Sequence, residues 1–353
     1  MQGTDRHATE VRPHAPRTRP TGRDHWSDAG TLRATVHKRA AAEVFLTDAV
    51  QVADDRFSVA VRWPREHGLY QPGPHGDGDP LLWIETVRQA GIYLSHRFYG
   101  VPMHHPFVLA EVTLAVGPST GSRVAHPAPV TLDVVVRREA QDTRRMAASA
   151  EAVVLAGGRA MGRVGLRWQA VDPVRYAVLR RRNSPSQPIG AVPGDADAVP
   201  LTAGAVGRAR ERDVVLAATR DDDTWMLRLD TGHPVFFDHA VDHIPGMALL
   251  EALAQAVAVS TARAAGPAAT HTTGCAPRAS LLRSGTFVFE AFGELDAPVT
   301  VTTRAASGPA SADDASALCV SAVQGDRTLV RADLLCGPAS CCTPDGDAAG
   351  GHR

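Results

Sequence analysis

The chain has 353 residues, a length that fits about two domains. Its 44% hydrophobic and 21% charged residues exclude collagen, coiled coil and wholesale disorder. The 37 basic and 38 acidic residues leave no basic surplus, which excludes a general nucleic-acid binder. Lys38 is the single lysine; beside the abundant Ala, Gly and Pro, it reads as codon bias.

Taken in chain order, residues 1–30 are rich in Arg, His, Pro, Thr and Asp and predict a disordered tail, because they cannot bury enough apolar surface to offset chain entropy. They contain no apolar core of a secretory signal. A first unit is expected over 31–181. It opens on an alternating strand with Phe57, Val59, Val61 and Trp63 on one face. After a loop, a helix starts at DPLLWIETVRQAGIYLSHRF, with Pro near its start. Strand-like runs follow at Val130 to Val136, Val153 to Leu155 and Gly162 to Trp168. Residues 182–205 cluster Pro, Gly and small residues as an interdomain linker does.

The second unit, 206–337, repeats the plan. Trp225, Leu227 and Leu229 form the strand, and PGMALLEALAQAVAVSTARAAGP the helix, with Gly266-Pro267 as its stop signal. Runs at Thr286 to Phe289, Val299 to Thr303 and Leu329 to Leu335 follow, with a loop over 305–315 and a flexible tail over 338–353. The longest charge-poor run, Met247 to Ala262, is interrupted by Glu251 and falls short of a membrane span. The cysteines (Cys275, Cys319, Cys336, Cys341 and Cys342) form no pair of CxxC motifs, so no metal is expected and the thiols read as reduced. A cytoplasmic protein without a membrane partner or cofactor is the expectation.

At an offset of 166 residues, Val59, Val61 and Trp63 fall on Trp225, Leu227 and Leu229, His67 on His233, Glu85 on Glu251, and Gln89 on Gln255. One coincidence would mean nothing; a run in one register across strand, loop and helix predicts a duplication. Both helices are apolar nearly all round, the mark of a buried helix. The expected fold is α+β, a double hotdog: two antiparallel sheets, each wrapping a long buried helix. Two copies in one chain make an intramolecular pseudo-dimer, so a monomer is expected.

The chemistry-bearing residues sit at matched places. A buried unpaired carboxylate costs several kcal/mol or raises its pKa. Two of them, Glu85 and Glu251, suggest a use; helix capping or a backbone hydrogen bond is the alternative. Gln89 and Gln255 lie four residues on and share the face of each Glu. Arg88 faces Glu85 or a ligand; Ala254 is its counterpart. His233, His239 and His243 crowd the loop before the second helix with Asp238 and Asp242, in no zinc-type spacing. A His beside a carboxylate suits general acid–base work. The unpaired N–H groups at Gly246 and Met247 open the second helix and could hold an oxyanion.

The motifs HxxxFDHxxDHIPGMxLLExxxQ (His233 to Gln255), WPRxHxxY (Trp63 to Tyr70), DPLLxxETxRQAG (Asp79 to Gly91), GVPxxHxF (Gly100 to Phe107) and FxxFxELDxP (Phe289 to Pro298) resemble the A-factor-type γ-butyrolactone autoregulator synthases of actinobacteria. The resemblance spans roughly residues 35–335 and implies tandem hotdog domains related to fatty-acid dehydratases. It implies transfer of a β-ketoacyl chain from acyl carrier protein to the hydroxyl of dihydroxyacetone phosphate, on the way to a γ-butyrolactone, butenolide or furan signal that governs antibiotic production. Under it, Glu251 is the base, assisted by His239 or His243, and its removal costs at least about 100-fold in rate. Arg88, with Arg278 or Arg283, meets the phosphate, and Glu85 and Gln89 furnish a second site. The family's second helix commonly reads LLExxRQ, where this chain has Ala254. That departure keeps two alternatives open: a dehydratase or thioesterase of the same fold, and a non-catalytic acyl-binding regulator.

Overall fold

Two 20-residue helices organise the molecule, and sequence signals fix where each starts and stops. In the computed structural model, which describes residues 29–70, 79–117, 129–142, 144–183, 198–265, 282–306 and 316–337, they start at Pro80 and Gly246, positions matched by the 166-residue repeat. A short helix α1 (Ala29–Thr35) and strands β1 (Leu46–Ala53) and β2 (Arg56–Val61) lead into α2 (Pro80–Tyr99). Asp79 caps α2 by accepting from Leu81 N at 2.9 Å, and Gly100, at φ 67°, ends it in the left-handed region that favours glycine. Strands β3 (Phe107–Val116), β4 (Val130–Gln141), β5 (Arg145–Ala156) and β6 (Arg159–Val171) complete the first half, and α3 (Pro173–Asn183) follows.

The second half runs β7 (Leu216–Ala218), β8 (Thr224–Leu227), α4 (Gly246–Ala265), β9 (Leu282–Phe289), β10 (Thr300–Ala305), β11 (Ser316–Gln324) and β12 (Arg327–Cys336). The sheet order is β1-β2-β4-β5-β6-β3-β9-β12-β11-β10-β8-β7, antiparallel throughout and the same read from either end. The two expected sheets are therefore one, joined at the β3–β9 seam, where Thr113 faces Thr286. Helices α2 and α4 touch each other on one face of it.

The apolar character of α2 is spent on both neighbours. Ile84, Val87, Ala90 and Leu94 are buried, and Trp83 reaches the sheet over Gly162. A Cβ at Gly162 would stand 2.4 Å from the Ala115 carbonyl oxygen and 2.7 Å from the Trp83 ring, so only glycine lets strand and helix approach there. Deleting the Leu94 side chain to Ala would cost about 2–5 kcal/mol in lost transfer energy plus the cavity left behind.

The tail through residue 28, residues 184–197 of the expected linker, Gly266-Pro267, Cys275, Arg278 and the tail from 338 lie outside the described residues. The ends of that linker are ordered: α3 runs to Asn183, and Leu201 N donates to Leu216 O at 3.0 Å. Among the described residues, no helix is long and apolar enough to cross a membrane.

Candidate active site

Each half builds the same buried scaffold around its long helix. The 3-10 turns Ala41–Glu43 and Glu211–Asp213 precede the first strand of each half and stand 170 residues apart. Gln89 reads the first turn in both directions: its amide donates to Glu43 O at 2.7 Å and accepts from Phe45 N at 3.0 Å. Gln255 repeats this with Asp213 O at 2.7 Å and Val215 N at 3.0 Å. His67 Nδ1 accepts from Leu69 N and Tyr70 N, so its Nε2 carries the proton that faces Glu43, 3.3 Å away. His233 does the same with Val235 N, Phe236 N and Asp213 Oδ1, the last at 3.1 Å. Tyr70 and Phe236 stack on the two imidazoles.

Gln89, Gln255 and His233, the expected substrate-binding residues, sit within this scaffold. All three are buried, and their polar atoms are taken by backbone and carboxylate partners.

A basic residue just before each turn reaches the helix Glu of its own half. Lys38 Nζ lies 3.1 Å from Glu85 Oε1. Its counterpart at the 170-residue offset, Arg208, grips Glu251 with Nε at 2.6 Å and Nη2 at 2.5 Å. From here the halves diverge. Arg208 Nη1 also bonds the cap carboxylate Asp79 at 2.8 Å and the Leu69 carbonyl, so the start of α2 is sealed. Glu251 is wholly buried. Burial and the neighbouring Asp79 carboxylate push it up, against the pull of Arg208. The expected base, Glu251, has both oxygens held by Arg208 and a third bond from Gln255 at 2.6 Å, and it does not line the cavity described next.

The other side of the pseudo-symmetry is open. A cavity of about 330 Å³ lies where α2, the start of α4 and the β3–β9 seam meet. Glu85, Arg88, His239, His243, Gly246 and Met247, all expected site residues, line it together with Lys38 and Tyr70. Glu85 accepts from Arg88 Nε at 2.7 Å and Nη2 at 2.9 Å, and from Gln89 at 3.0 Å. Burial opposes its charge, but Arg88 and Lys38 outweigh it and hold the carboxyl well below the usual range. Burial and the Arg88 and Lys38 charges pull His239 below its ordinary value, which favours the neutral imidazole. Its Nδ1 is buried without a hydrogen-bond partner among the described residues. His243 Nδ1 lies 2.7 Å from Asp242 Oδ1, which also accepts from the Tyr176 hydroxyl at 2.8 Å.

At α4 the residue in the place of Asp79 is Pro245, which carries no capping side chain. The N–H groups of Gly246 and Met247 therefore have no partner among the described residues and open toward the cavity. Phe107, Leu109, Trp168, Phe289 and Phe292 supply an apolar wall. Arg283 is not part of it: it sits at the far end of β9, against Gly337. No group of three or more His, Cys, Asp or Glu that could hold a metal occurs among the described residues.

Sequence reasoning passed over Lys38 and Arg208. The signal was present: the repeat continues upstream of β1 and β7 at an offset of 170, aligning Val36, Lys38, Glu43 and Leu46 with Val206, Arg208, Asp213 and Leu216.

Two fused hotdog units sharing one open cavity at their seam define the class: a tandem hotdog protein. The model of the A-factor biosynthesis hotdog domain matches residues 30–172 and 191–340, and the chain belongs to that family. It is similar to the 2-oxo-3-(phosphooxy)propyl 3-oxoalkanoate synthase of Streptomyces virginiae, 38% identical over 225 residues that cover 64% of this chain and 74% of the relative. The synthase of the same name from Streptomyces coelicolor is 32% identical over 325 residues, 89% of this chain and 96% of the relative. Among solved structures, the 12:0-ACP thioesterase of Umbellularia californica is similar at 13% identity and TM-score 0.38, over 80% of this chain and 92% of that one.

Proposed function

We propose that this protein makes a 2-oxo-3-(phosphooxy)propyl 3-oxoalkanoate, by moving a 3-oxoacyl group from a thioester to the hydroxyl of dihydroxyacetone phosphate. The observation that carries the site assignment is the convergence, in one cavity, of an uncapped helix start from the second half and a cationic cluster from the first. The substrate is an acyl chain with a carbonyl to polarise and a phosphate to hold, and the cavity offers an apolar wall, free N–H groups and a pair of cations, Lys38 and Arg88, around one carboxylate.

The hydroxyl oxygen bonds to the thioester carbonyl carbon, and the C–S bond breaks. Neutral His239 takes the hydroxyl proton and returns it to the departing thiolate. A general base of this kind contributes about 10²–10⁴-fold. The carbonyl oxygen, charged in the tetrahedral intermediate, is met by Gly246 N–H and Met247 N–H at the positive end of α4; one such donor contributes about 3–4 kcal/mol. Arg88, its Nε and Nη2 held by Glu85, meets the phosphate with its remaining Nη1. Glu85 is a positioning residue that holds Arg88, and Asp242 holds His243 at the rim. The acyl donor is loaded on acyl carrier protein, and the chain acts as a monomer in the cytoplasm, its fused halves supplying the hotdog dimer.

The test is mass spectrometry of the product formed from a 3-oxoacyl thioester with and without dihydroxyacetone phosphate. A phosphorylated ester that appears only with both substrates is the expected result. Free 3-oxo acid at the same rate in either case would make the protein a thioesterase instead.

A further inference from the structure

The two pseudo-symmetric clusters carry opposite net charge, and the difference identifies a ligand. In the sealed groove, one cation, Arg208, serves two carboxylates, Glu251 and Asp79. In the open cavity, two cations, Lys38 and Arg88, serve one carboxylate, Glu85, while the other lining carboxylate, Glu290, is paired with Arg331 at 2.6 Å. The first cluster has one negative charge in excess and the second one positive. A buried charge left unbalanced is expensive, so the open cluster is built to receive an anion.

The unused donors agree. The Lys38 ammonium has three N–H groups, a side chain only 6% exposed, and Glu85 as its partner among the described residues. Arg88 spends Nε and Nη2 on Glu85 and keeps Nη1 free among the described residues. His239, on the facing loop, has its buried Nδ1 without a hydrogen-bond partner among the described residues, 3.8 Å from Asp238 Oδ2.

The choice of lysine is also informative. Every other basic residue of this chain is arginine, and the matched position in the sealed groove is Arg208. An arginine fork satisfies a carboxylate bidentately, as Arg208 does with Glu251. A lysine makes a point contact and leaves N–H groups to spare.

We infer that Lys38, together with Arg88, forms a phosphomonoester subsite, in which the Lys38 ammonium touches the phosphate oxygens and sets the preference for a phosphorylated three-carbon acceptor over the free triol or ketone. This rests on the acyl transfer proposed above for the choice of acceptor, and on the charge and geometry of the cluster for the anion itself. Glu85 is the positioning residue that holds both cations apart from one another. The sealed groove, with its excess negative charge, binds no phosphate.

The test is calorimetric titration of the full chain with sn-glycerol 3-phosphate, which is unreactive, with glycerol and sodium sulfate as controls. The wild type binds glycerol 3-phosphate and not glycerol. Lys38→Met weakens that binding at least tenfold, about 1.4 kcal/mol, and Lys38→Arg recovers part of it. No binding to the wild type, or equal binding to Lys38→Met, overturns the inference; sulfate bound as tightly as glycerol 3-phosphate marks a nonspecific anion site and overturns it too. Should Lys38→Met fail to fold, the wild type still decides. Reductive methylation with formaldehyde and cyanoborohydride has only Lys38 and the N-terminal amine to modify. Glycerol 3-phosphate slows methylation at Lys38 at least fivefold and leaves the N-terminus unchanged; equal slowing at both, or at neither, overturns the inference. Neither measurement needs turnover, so phosphate binding without ester formation would fault the proposed reaction and leave the subsite standing.

Discussion

Replacing Arg208 with methionine separates the sealed groove from the working one. Arg208 and Glu251 are both buried, and Arg208 also bonds Asp79 and the Leu69 carbonyl. The methionine fills similar volume but strands two carboxylates. Removing one partner of a buried pair costs about 3–5 kcal/mol, a large part of the ~5–15 kcal/mol that holds a typical domain folded. With a urea m-value of about 1–3 kcal/mol/M, the unfolding midpoint falls by at least about 1 M. The deficit depends on pH with a definite sign. Burial already raises Glu251 above its ordinary value, and losing Arg208 raises it further. A carboxyl raised in the folded state opposes folding when ionised, so the deficit is full at pH 7 and shrinks as acid protonates Glu251. The assay is urea denaturation at pH 7 and pH 5, with acyl transfer measured on the folded fraction. A variant within about 1 kcal/mol of wild type at pH 7 would refute the buried-pair argument. Loss of transfer by folded protein would show that the second groove takes part.

Three further outcomes follow from the same geometry. Glu251→Gln should keep transfer within about tenfold per folded molecule, whereas His239→Asn should lose about 100-fold or more in kcat while still binding glycerol 3-phosphate, the usual weight of a general base; kinetics on both variants decide which residue is the base. His239 is held below 6.5 by burial, Arg88, Lys38 and Arg39, with Asp238 opposing. The group is active when neutral, so the acid limb of kcat/KM against pH, which reports the free enzyme, should lie below the ordinary histidine range; an acid limb above that range would remove His239 as the base. Gly162→Ala, which forces a methyl against the Ala115 carbonyl and the Trp83 ring, should cost about 1–3 kcal/mol by overpacking, read from thermal or urea unfolding.

The duplication was legible because period and spacing survive in sequence. Both helices, their matched Glu and Gln residues and several flanking strands stand where the alternation and the start signals predict. Strands β1, β3, β7 and β11 and helix α3 carried no pattern strong enough to find. Helix α3 matters to the site: Leu179 lines the cavity, Tyr176 reaches Asp242 and Arg180 bonds Glu294. Six of the expected site residues do meet around one cavity. Matched sequence positions do not have matched surroundings, and that bears on the roles. Glu85 and Glu251 sit identically on their helices, yet one faces two cations and open space, and the other shares one cation with Asp79.

Sequence alone determined the duplicated α+β plan, the burial of both helices and the residue types that could do acid–base and phosphate chemistry. These depend on local periodicity and composition, which each segment carries within itself. Only the tertiary structure decided which groove is open, that the lone lysine belongs to it, and that Arg208 closes the other. Those outcomes turn on pairings across scores of residues, Arg208 with Asp79 and Glu251, Lys38 with Glu85, and on a Pro-for-Asp exchange at a helix start whose effect depends on what lies opposite.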